Sequence, residues 1–343
     1  MINKIFIHIT YECNAKCVHC AVPKFKGALS LEDFKKIVDI SKRSGVEYII
    51  LGGGEPLTHP DVIEMIHYVK DNDMKVKIET NGKLLNKILL DKLKDIIFQI
   101  NISLDGLNPK THNSIRLLDT FQNTIEAISY ARKIGIDVAI WSVVMKDNIT
   151  ELNQMITLLE NVDIKKISFL YATPVEACFR NKKDILADID KYYSFIKEID
   201  SKNKDVQIRI APYLIPYGKI EEFEENYGSE IPNKRCMIYD KEIIHIAPSG
   251  NIFPCVLLLS DEKYCLGNIN NSNDLENILQ GNTVQWDKIL TILNNYKQIS
   301  QKNGYNDLGC IGLCNSFNTD TDPRATSGVL VCPCRTIRKE WNY

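Results

Sequence analysis

The chain has 343 residues, of which 42 are basic and 44 acidic, and its formal net charge is -2. Because no long block of like charge occurs, the sequence indicates neither nucleic acid nor a membrane surface as a partner. No apolar run approaches the roughly 18 residues of a membrane span, and no secretory cleavage site follows an apolar segment at the N-terminus. We therefore expect a cytoplasmic protein.

The first 170 residues alternate short apolar runs with amphipathic helical patterns. Such runs are typical of parallel strands covered on both faces, and they predict strands at 4–10, 46–51, 74–79, 97–103, 136–144 and 165–171. Between them, Ser30 with Asp33 forms a capping-box signature, Pro60 opens a second helix, and Gly135 ends a third that begins at Phe121. Six strand–helix repeats predict an α/β fold, a partial (βα)6 TIM-type barrel.

After about residue 180 the pattern becomes irregular. A helix at 185–199 and a strand at 206–211 complete a predicted core domain of residues 1–215, and residues 216–343 form a smaller cysteine-rich domain. Within it, residues 242–255 predict a β-hairpin with its turn at 248–251. A loop-rich unit of this size usually needs a metal site to hold it together.

The chain contains eleven cysteines, and this number is informative about metal or cluster binding. With no signal peptide the compartment should be reducing, which favours metal or cluster ligation over disulfides. Cys13, Cys17 and Cys20 follow the first strand, and three thiolates can hold three corners of an iron–sulfur cube with the fourth iron open. The alternative is a structural zinc site, but such sites are four-coordinate, and His19 is poorly placed to be the fourth ligand.

The other unusual segments of this half also follow predicted strands. They are "GGGEP" (52–56), "TNG" (80–82), Ser103 with Asp105, Asn148, and "ATP" (172–174). In barrels of this type, the chemistry lies where strands end and the following loops begin. The sequence therefore places these segments and the three cysteines at one rim.

Cys13-x3-Cys17-x2-Cys20 after the first strand, followed by Gly53-Gly54-Glu55-Pro56 after the second, resembles the radical S-adenosylmethionine (radical SAM) enzymes. The resemblance extends over nearly all of the predicted barrel, through "TNG" and "ISLDG" (102–106). It implies that the three cysteines ligate a 4Fe–4S cluster whose unique iron chelates S-adenosylmethionine.

The resemblance also implies contacts to S-adenosylmethionine. Gly53, Gly54 and Glu55 would receive the methionine amino group, since glycines allow close backbone approach and Glu55 offers an anionic partner. His19 occupies a position where an aromatic side chain often packs near adenine.

Ser103 and Asn148, with Asp105, sit where family members contact the carboxylate or the ribose. The alternatives are a strand-terminal turn for Ser103 and Asp105, and a helix cap for Asn148.

The C-terminal part resembles the SPASM extension, called twitch in its shortened form, which binds auxiliary 4Fe–4S clusters. The shared features are an early cysteine, a Gly-x4-Cys hairpin (Gly250 to Cys255), "LGNI" (266–269) and a late cysteine pair. The resemblance favours one auxiliary cluster, with two as the alternative if further cysteines are recruited. The expected ligands are Cys236, Cys255, Cys310 and Cys314, and the further candidates are Cys265, Cys332 and Cys334.

Candidate catalytic groups lie beyond the sixth strand. Cys178 could face the substrate pocket or simply be buried, and Glu176 could accept a proton or be solvated. Trp141, Tyr192 and Tyr193 are predicted to be packing residues.

The resemblance implies reductive cleavage of S-adenosylmethionine to a 5'-deoxyadenosyl radical that abstracts hydrogen from a substrate. The leading hypothesis is a maturase of a ribosomally made peptide that forms a thioether or carbon–carbon crosslink or modifies a side chain. Because the first strand begins near Lys4, we expect any leader-binding protein to be separate, and a flavodoxin or ferredoxin to act as reductase. The alternatives are a small-molecule radical dehydrogenase or a cofactor or natural-product biosynthetic enzyme and, more remotely, a non-enzymatic zinc scaffold.

Overall fold

A computed structural model describes residues 2–23, 25–172, 185–202, 206–211, 225, 238, 241–281 and 283–291. Ten strands within these residues form a single sheet. Their bounds are β1 Lys4–Thr10, β2 Tyr48–Gly53, β3 Lys75–Thr80, β4 Gln99–Ser103, β5 Val138–Val144, β6 Lys166–Tyr171, β7 Gln207–Ala211, β8 Ile243–Ile246, β9 Asn251–Phe253 and β10 Gly267–Asn268. The first seven strands pair in chain order and all in parallel, which confirms the predicted α/β fold with its parallel sheet.

Helices connect the strands. Their bounds are α1 Leu31–Arg43, α2 Val62–Asp71, α3 Lys87–Leu93, α4 Pro109–Arg116, α5 Phe121–Lys133, α6 Ile149–Leu152, α7 Met155–Asn161, α8 Ile189–Lys202 and α9 Asp274–Leu279. The Ser30 side chain accepts a hydrogen bond from the Asp33 backbone, as the capping signature predicts. The helix expected at 185–199 begins four residues later, because the Asp188 carboxylate accepts from the Lys191 backbone and caps its first turn. Pro60 likewise precedes α2, which begins at Val62.

The two faces of the sheet differ in composition. Alternate residues such as Ile5, Ile78, Ile100 and Ile140 are fully buried in the main hydrophobic core, on the face that the helices cover. The opposite face, here called the inner face, carries Phe6, His8, Glu79, Asn101, Ser103, Trp141, Ser168, Arg209 and His245.

The second predicted domain contributes to the same sheet. Strand β8 pairs in parallel with β1, on the edge opposite β2. Strands β8 and β9 form the predicted antiparallel hairpin, and Gly250 in its turn has a φ of 83°, a conformation that glycine adopts without strain. The sheet thus continues across the expected domain boundary. No helix among the described residues is long and apolar enough to cross a membrane.

Two buried histidines on the inner face give the fold a pH dependence. His8 Nε2 lies 3.2 Å from His245 Nδ1. Burial lowers the pKa of His245 to about 3, and burial together with the charge of His245 lowers the pKa of His8 well below its usual value. Below pH 6.5 the unfolded chain therefore binds protons that the folded chain does not, and stability should fall by up to about 1.4 kcal/mol per pH unit for each histidine.

Anaerobic urea unfolding between pH 7 and pH 4 should show this slope, and His245→Phe should reduce it by about half the two-histidine contribution. His67, which is exposed on α2, provides a matched control, and His67→Gln should keep the wild-type slope. An unchanged slope in His245→Phe would mean that the buried pair does not titrate on unfolding.

Candidate active site at the carboxyl ends of the strands

The cysteine loop, residues 11–20, leaves the carboxyl end of β1. Cys17 is buried, Cys13 and Cys20 are half-buried, and all three are reduced thiols outside any disulfide. The loop is fixed at its far end, where Val18 N donates to Ile115 O at 3.0 Å. A second contact joins Asn14 Oδ1 to Asn81 Nδ2 at 2.7 Å. The sequence places the thiols together, and the following loops hold them at the rim.

The glycine segment after β2 packs directly against this loop. Gly54 N donates to Thr10 O at 2.7 Å, and Glu55 N donates to Glu12 O at 2.8 Å. A Cβ on Gly54 would lie 2.0 Å from Glu12 O, and Gly53 has a φ of 124°. Both positions therefore require glycine, one because of close approach and the other because of its backbone conformation.

Glu55 joins β2 to the end of β3. Its Oε1 accepts from Thr80 Oγ1 at 2.7 Å and from Leu57 N at 3.2 Å, and its Oε2 accepts from Asn81 N at 2.8 Å. Burial raises the pKa of Glu55, and these hydrogen bonds oppose the shift. The carboxylate is thus largely satisfied by the protein's own donors.

A buried ion pair lies beneath the cysteine loop. Arg116 Nε, at the end of α4, lies 2.6 Å from Asp105 Oδ2, and both side chains are more than nine-tenths buried. Burial alone would raise the pKa of Asp105, but the Arg116 guanidinium and the hydrogen bond from His19 outweigh it and hold the pKa well below its usual range. Asp105 is therefore an anion.

Arg116 also reaches the cysteines. Its Nη1 lies 3.8 Å from Cys17 Sγ, and His19 Nε2 lies 3.4 Å from Asp105 Oδ2. The sequence does not single out Arg116, because the helix dipole alone explains a basic residue in the last turn of a helix. Burial, which only the structure reveals, distinguishes it.

The remaining rim residues, Asn148 and Ser103, differ in how many hydrogen bonds their side chains make to described residues. Asn148 Nδ2 donates to Asp105 O and to Val143 O, both at 2.8 Å, and its Oδ1 accepts from Met145 N at 2.7 Å. Asn148 thus links the ends of β4 and β5. Ser103 is half-buried on the inner face, and its hydroxyl makes no hydrogen bond to a described residue.

The second cysteine group follows the hairpin. Cys255 lies two residues after the end of β9, and burial raises the pKa of its thiol to about 11. Cys265 Sγ donates to Gly267 O at 3.2 Å. Cys265 packs at the edge of a small apolar cluster that contains Tyr11 of the cysteine loop and Phe253 of the hairpin. This cluster joins the two cysteine-bearing regions.

Several predicted site residues lie outside the described residues. They are Glu176, Cys178, Cys236, Cys310, Cys314, Cys332 and Cys334. Their roles stay predictions.

The described thiols fit an iron–sulfur cluster. The thiolates of such a cluster bind separate irons. Three reduced thiols on one loop, with the Arg116 cation beside Cys17, suit an anionic cluster of this kind.

Comparison with protein families gives two matches. Residues 7–159 match the radical SAM superfamily, and residues 236–314 match SPASM, an iron–sulfur cluster-binding domain. The first match contains the cysteine loop and the rim residues from Glu55 to Asn148.

The names of the similar curated proteins describe different reactions. The chain is 30% identical over 270 residues to the antilisterial bacteriocin subtilosin biosynthesis protein AlbA of Bacillus subtilis, which covers 76% of this chain and 56% of AlbA. It is 27% identical to the AdoMet-dependent heme synthase of Methanosarcina barkeri, over 72% of this chain and 74% of the relative. It is 29% identical to a probable GTP 3',8-cyclase of Saccharolobus islandicus, and the match covers 80% of this chain and 86% of the cyclase.

Among solved structures, the chain is similar to Streptococcus suis SuiB bound to its precursor peptide SuiA. The TM-score is 0.65 at 17% identity, and the match covers 84% of this chain and 66% of SuiB. The chain thus spans less than two thirds of SuiB and of AlbA. At this identity the likeness to SuiB supports the fold. The chain belongs to the radical SAM superfamily and carries a SPASM iron–sulfur domain, so it is an enzyme whose cofactors are S-adenosylmethionine and 4Fe–4S clusters.

Proposed function

We propose that Cys13, Cys17 and Cys20 hold the radical SAM cluster and leave one iron for S-adenosylmethionine. The observation that carries this proposal is the junction between the cysteine loop and the glycine segment, where Gly54 N and Glu55 N donate hydrogen bonds to Thr10 O and Glu12 O. This contact fixes the thiols beside the segment that the family uses for the methionine amino group. When bound, the cluster and S-adenosylmethionine supply a 5'-deoxyadenosyl radical that abstracts hydrogen from the substrate.

The chain's own residues prepare this site in different ways. Arg116 places a positive charge beside Cys17, which stabilises thiolate and cluster charge. Ser103, whose hydroxyl is uncommitted among described residues, is our first candidate for the carboxylate or ribose, ahead of Asp105 and Asn148, which protein groups already engage. Gly53, Gly54 and Glu55 remain our candidates for the amino group, and His19 for adenine.

For the second region we propose one auxiliary cluster. Its ligands would be Cys236, Cys255, Cys310 and Cys314, with Cys265, Cys332 and Cys334 required only for a second cluster. We keep 1–215 and 216–343 as the proposed core and auxiliary-cluster domains. A carrier such as flavodoxin or ferredoxin would supply the electron.

We further propose that the substrate is a ribosomally made peptide, recognised with a separate leader-binding protein, and that the product carries a crosslink or a modified side chain. The name of AlbA, a bacteriocin biosynthesis protein, and the peptide complex of SuiB support this class. A small-molecule substrate is the second candidate. It is supported by the name of the probable GTP 3',8-cyclase, because the match covers 86% of that protein. The zinc scaffold finds no support in these matches.

Anaerobic reconstitution tests the cluster proposal. One auxiliary cluster together with the radical SAM cluster should give about eight irons per chain, and the reduced protein should convert S-adenosylmethionine to 5'-deoxyadenosine. Cys17→Ala should abolish this product and leave about four irons, whereas Ser114→Ala, an exposed change on α4, should leave both values unchanged. Full 5'-deoxyadenosine formation by Cys17→Ala would refute the assignment.

The substrate class needs its own measurement. A short peptide encoded beside this gene should lose hydrogen when it is coexpressed with the enzyme, as mass spectrometry would show. An unmodified peptide together with conversion of a nucleotide would favour the small-molecule candidate.

A further inference from the structure

Helix α4 holds one residue of the rim at two points. It carries His112 and Arg116, which are four positions apart and therefore lie on the same side of the helix. His112 Nδ1 accepts a hydrogen bond from the Asp105 backbone N–H at 3.1 Å, and Arg116 Nε lies 2.6 Å from the Asp105 carboxylate. The backbone and the side chain of Asp105 are thus fixed to the same helix.

The bond from Asp105 also defines the state of the His112 ring. A backbone N–H needs a lone pair to bond to, so Nδ1 carries no proton and Nε2 carries one. The ring is therefore neutral. In agreement, burial lowers the pKa of His112 to about 4, although the Asp105 carboxylate opposes the shift. At neutral pH, His112 is a permanent acceptor for this amide.

Packing alone does not account for a histidine here. The residue is fully buried, and its Nε2 has no hydrogen-bond partner among the described residues. The Phe121 ring lies 5.8 Å away, centre to centre, and a π-face is only a weak acceptor. An unpaired buried donor is destabilising, and leucine would avoid it. The benefit that histidine brings is its Nδ1, since no other described group accepts from the Asp105 N–H.

Asp105 passes this anchor on to the cysteine loop. Its Oδ1 accepts from Val143 N at 2.8 Å, and its Oδ2 lies 3.4 Å from His19 Nε2. Its ion-pair partner, Arg116, reaches Cys17 Sγ at 3.8 Å. A shift of the Asp105 backbone would therefore move the carboxylate that holds the Arg116 cation beside the thiol.

The same helix also bonds to the cysteine loop directly. Ile115 O accepts from Val18 N at 3.0 Å, next to Cys17 in the sequence. Helix α4 is thus bonded both to the loop that carries the thiols and to the carboxylate that pairs with its own cation. Its position relative to Asp105 decides where Cys17 lies.

We propose that His112 is a positioning residue that fixes the Asp105 backbone and, through the buried ion pair, holds Cys17 in place to ligate the cluster. The inference rests on the proposed function of Cys17 as a cluster ligand. His112 acts through Asp105 and needs no contact with the cluster or with S-adenosylmethionine.

Two measurements on the reconstituted full chain test the proposal. Hydrogen–deuterium exchange of residues 103–107 reports the bond at the Asp105 amide, and the rate at which a chelator removes iron reports how firmly the loop holds the cluster. His112→Leu removes the acceptor, so exchange of the Asp105 amide should become about tenfold faster. Iron release from the radical SAM cluster should also become about tenfold faster, as when an outer partner of a metal site is lost.

Two further variants test the role of Nδ1 itself. His112→Asn places an amide oxygen near the Nδ1 position, so it should keep most of the protection of Asp105 and most of the iron. His112→Gln places its polar atoms near the Nε2 position instead and should behave like His112→Leu. If His112→Leu does not fold, these two polar variants still give the comparison.

His59→Leu is the matched control. His59 is 5% exposed, and its Nδ1 accepts from Asp61 N at 3.1 Å. The variant therefore loses a bond of the same kind that does not involve Asp105. Its iron release should match that of the wild type.

Wild-type iron release in His112→Leu and His112→Gln would overturn the inference, even if exchange at Asp105 becomes faster. Equally fast release in His59→Leu would also overturn it, because the effect would then be one of general stability. These failures are distinct from failure of the proposed function. If the wild type forms no 5'-deoxyadenosine, the radical chemistry is wrong, and the exchange series still decides whether His112 fixes Asp105.

Discussion

Arg116→Met should lower the free energy of unfolding by about 3–5 kcal/mol, because it leaves the Asp105 carboxylate buried without its cation. Asp105 is fully buried, and Arg116 Nε lies 2.6 Å from it. Methionine approximates the length of the side chain, so the loss should report charge more than volume. The variant should also retain less iron, since Arg116 contacts Cys17 and Asp105 contacts His19.

Arg132→Met is the matched control. Arg132 Nη2 lies 2.7 Å from Asp163 Oδ2, but the Asp163 side chain is 63% exposed, and exposed pairs contribute about 0–1 kcal/mol. Anaerobic urea unfolding of the two variants gives the comparison. If Arg116→Met is no more destabilising than Arg132→Met, the buried pair does not support the rim.

Gly54→Ala should remove the radical SAM cluster while leaving the rest of the protein folded. The new Cβ would lie 2.0 Å from Glu12 O and 2.7 Å from Tyr11 O, so the cysteine loop must move away from β2. Overpacking of this kind costs about 1–3 kcal/mol. The displaced loop would no longer present Cys13 and Cys17 together, and the iron content should fall from about eight to about four per chain, with loss of 5'-deoxyadenosine formation.

Gly45→Ala is the control, because it introduces backbone strain without a steric clash. Gly45 has a φ of 80° and nothing within 4 Å of its virtual Cβ, so alanine there should cost about 1 kcal/mol. Its iron content and product formation should match the wild type. An iron count of about eight in Gly54→Ala would show that the loop tolerates the displacement.

The sequence predicted the strands well because their apolar runs must be buried whatever lies around them. Strands β1 to β7 begin and end within two residues of the expected positions. The start of α8 was wrong by four residues, because the Asp188 cap is a local hydrogen bond that apolar periodicity does not reveal. The partnership of β8 with β1 was also hidden, since it joins residues more than 230 positions apart.

The candidate site likewise has features that the sequence predicts and features that only the structure shows. The spacing of Cys13, Cys17 and Cys20 and the order of strand-end motifs are local in sequence, so they identified the family without a structure. The structure shows a further role for Gly53 and Gly54, which allow the end of β2 to pack against the cysteine loop. It also shows that Glu55 and Asn148 already bond to protein groups, a fact that no motif contains.

By itself, the sequence determined the α/β order of elements and the chemistry that three closely spaced thiols at a strand end can support. These are properties of short segments, governed by side-chain periodicity and donor type. Only the tertiary structure decided that Arg116 lies beside Cys17, and that Asn148 links the ends of β4 and β5. Burial and charge pairing depend on which distant segments meet, because the cost of an unpaired group depends on everything that surrounds it.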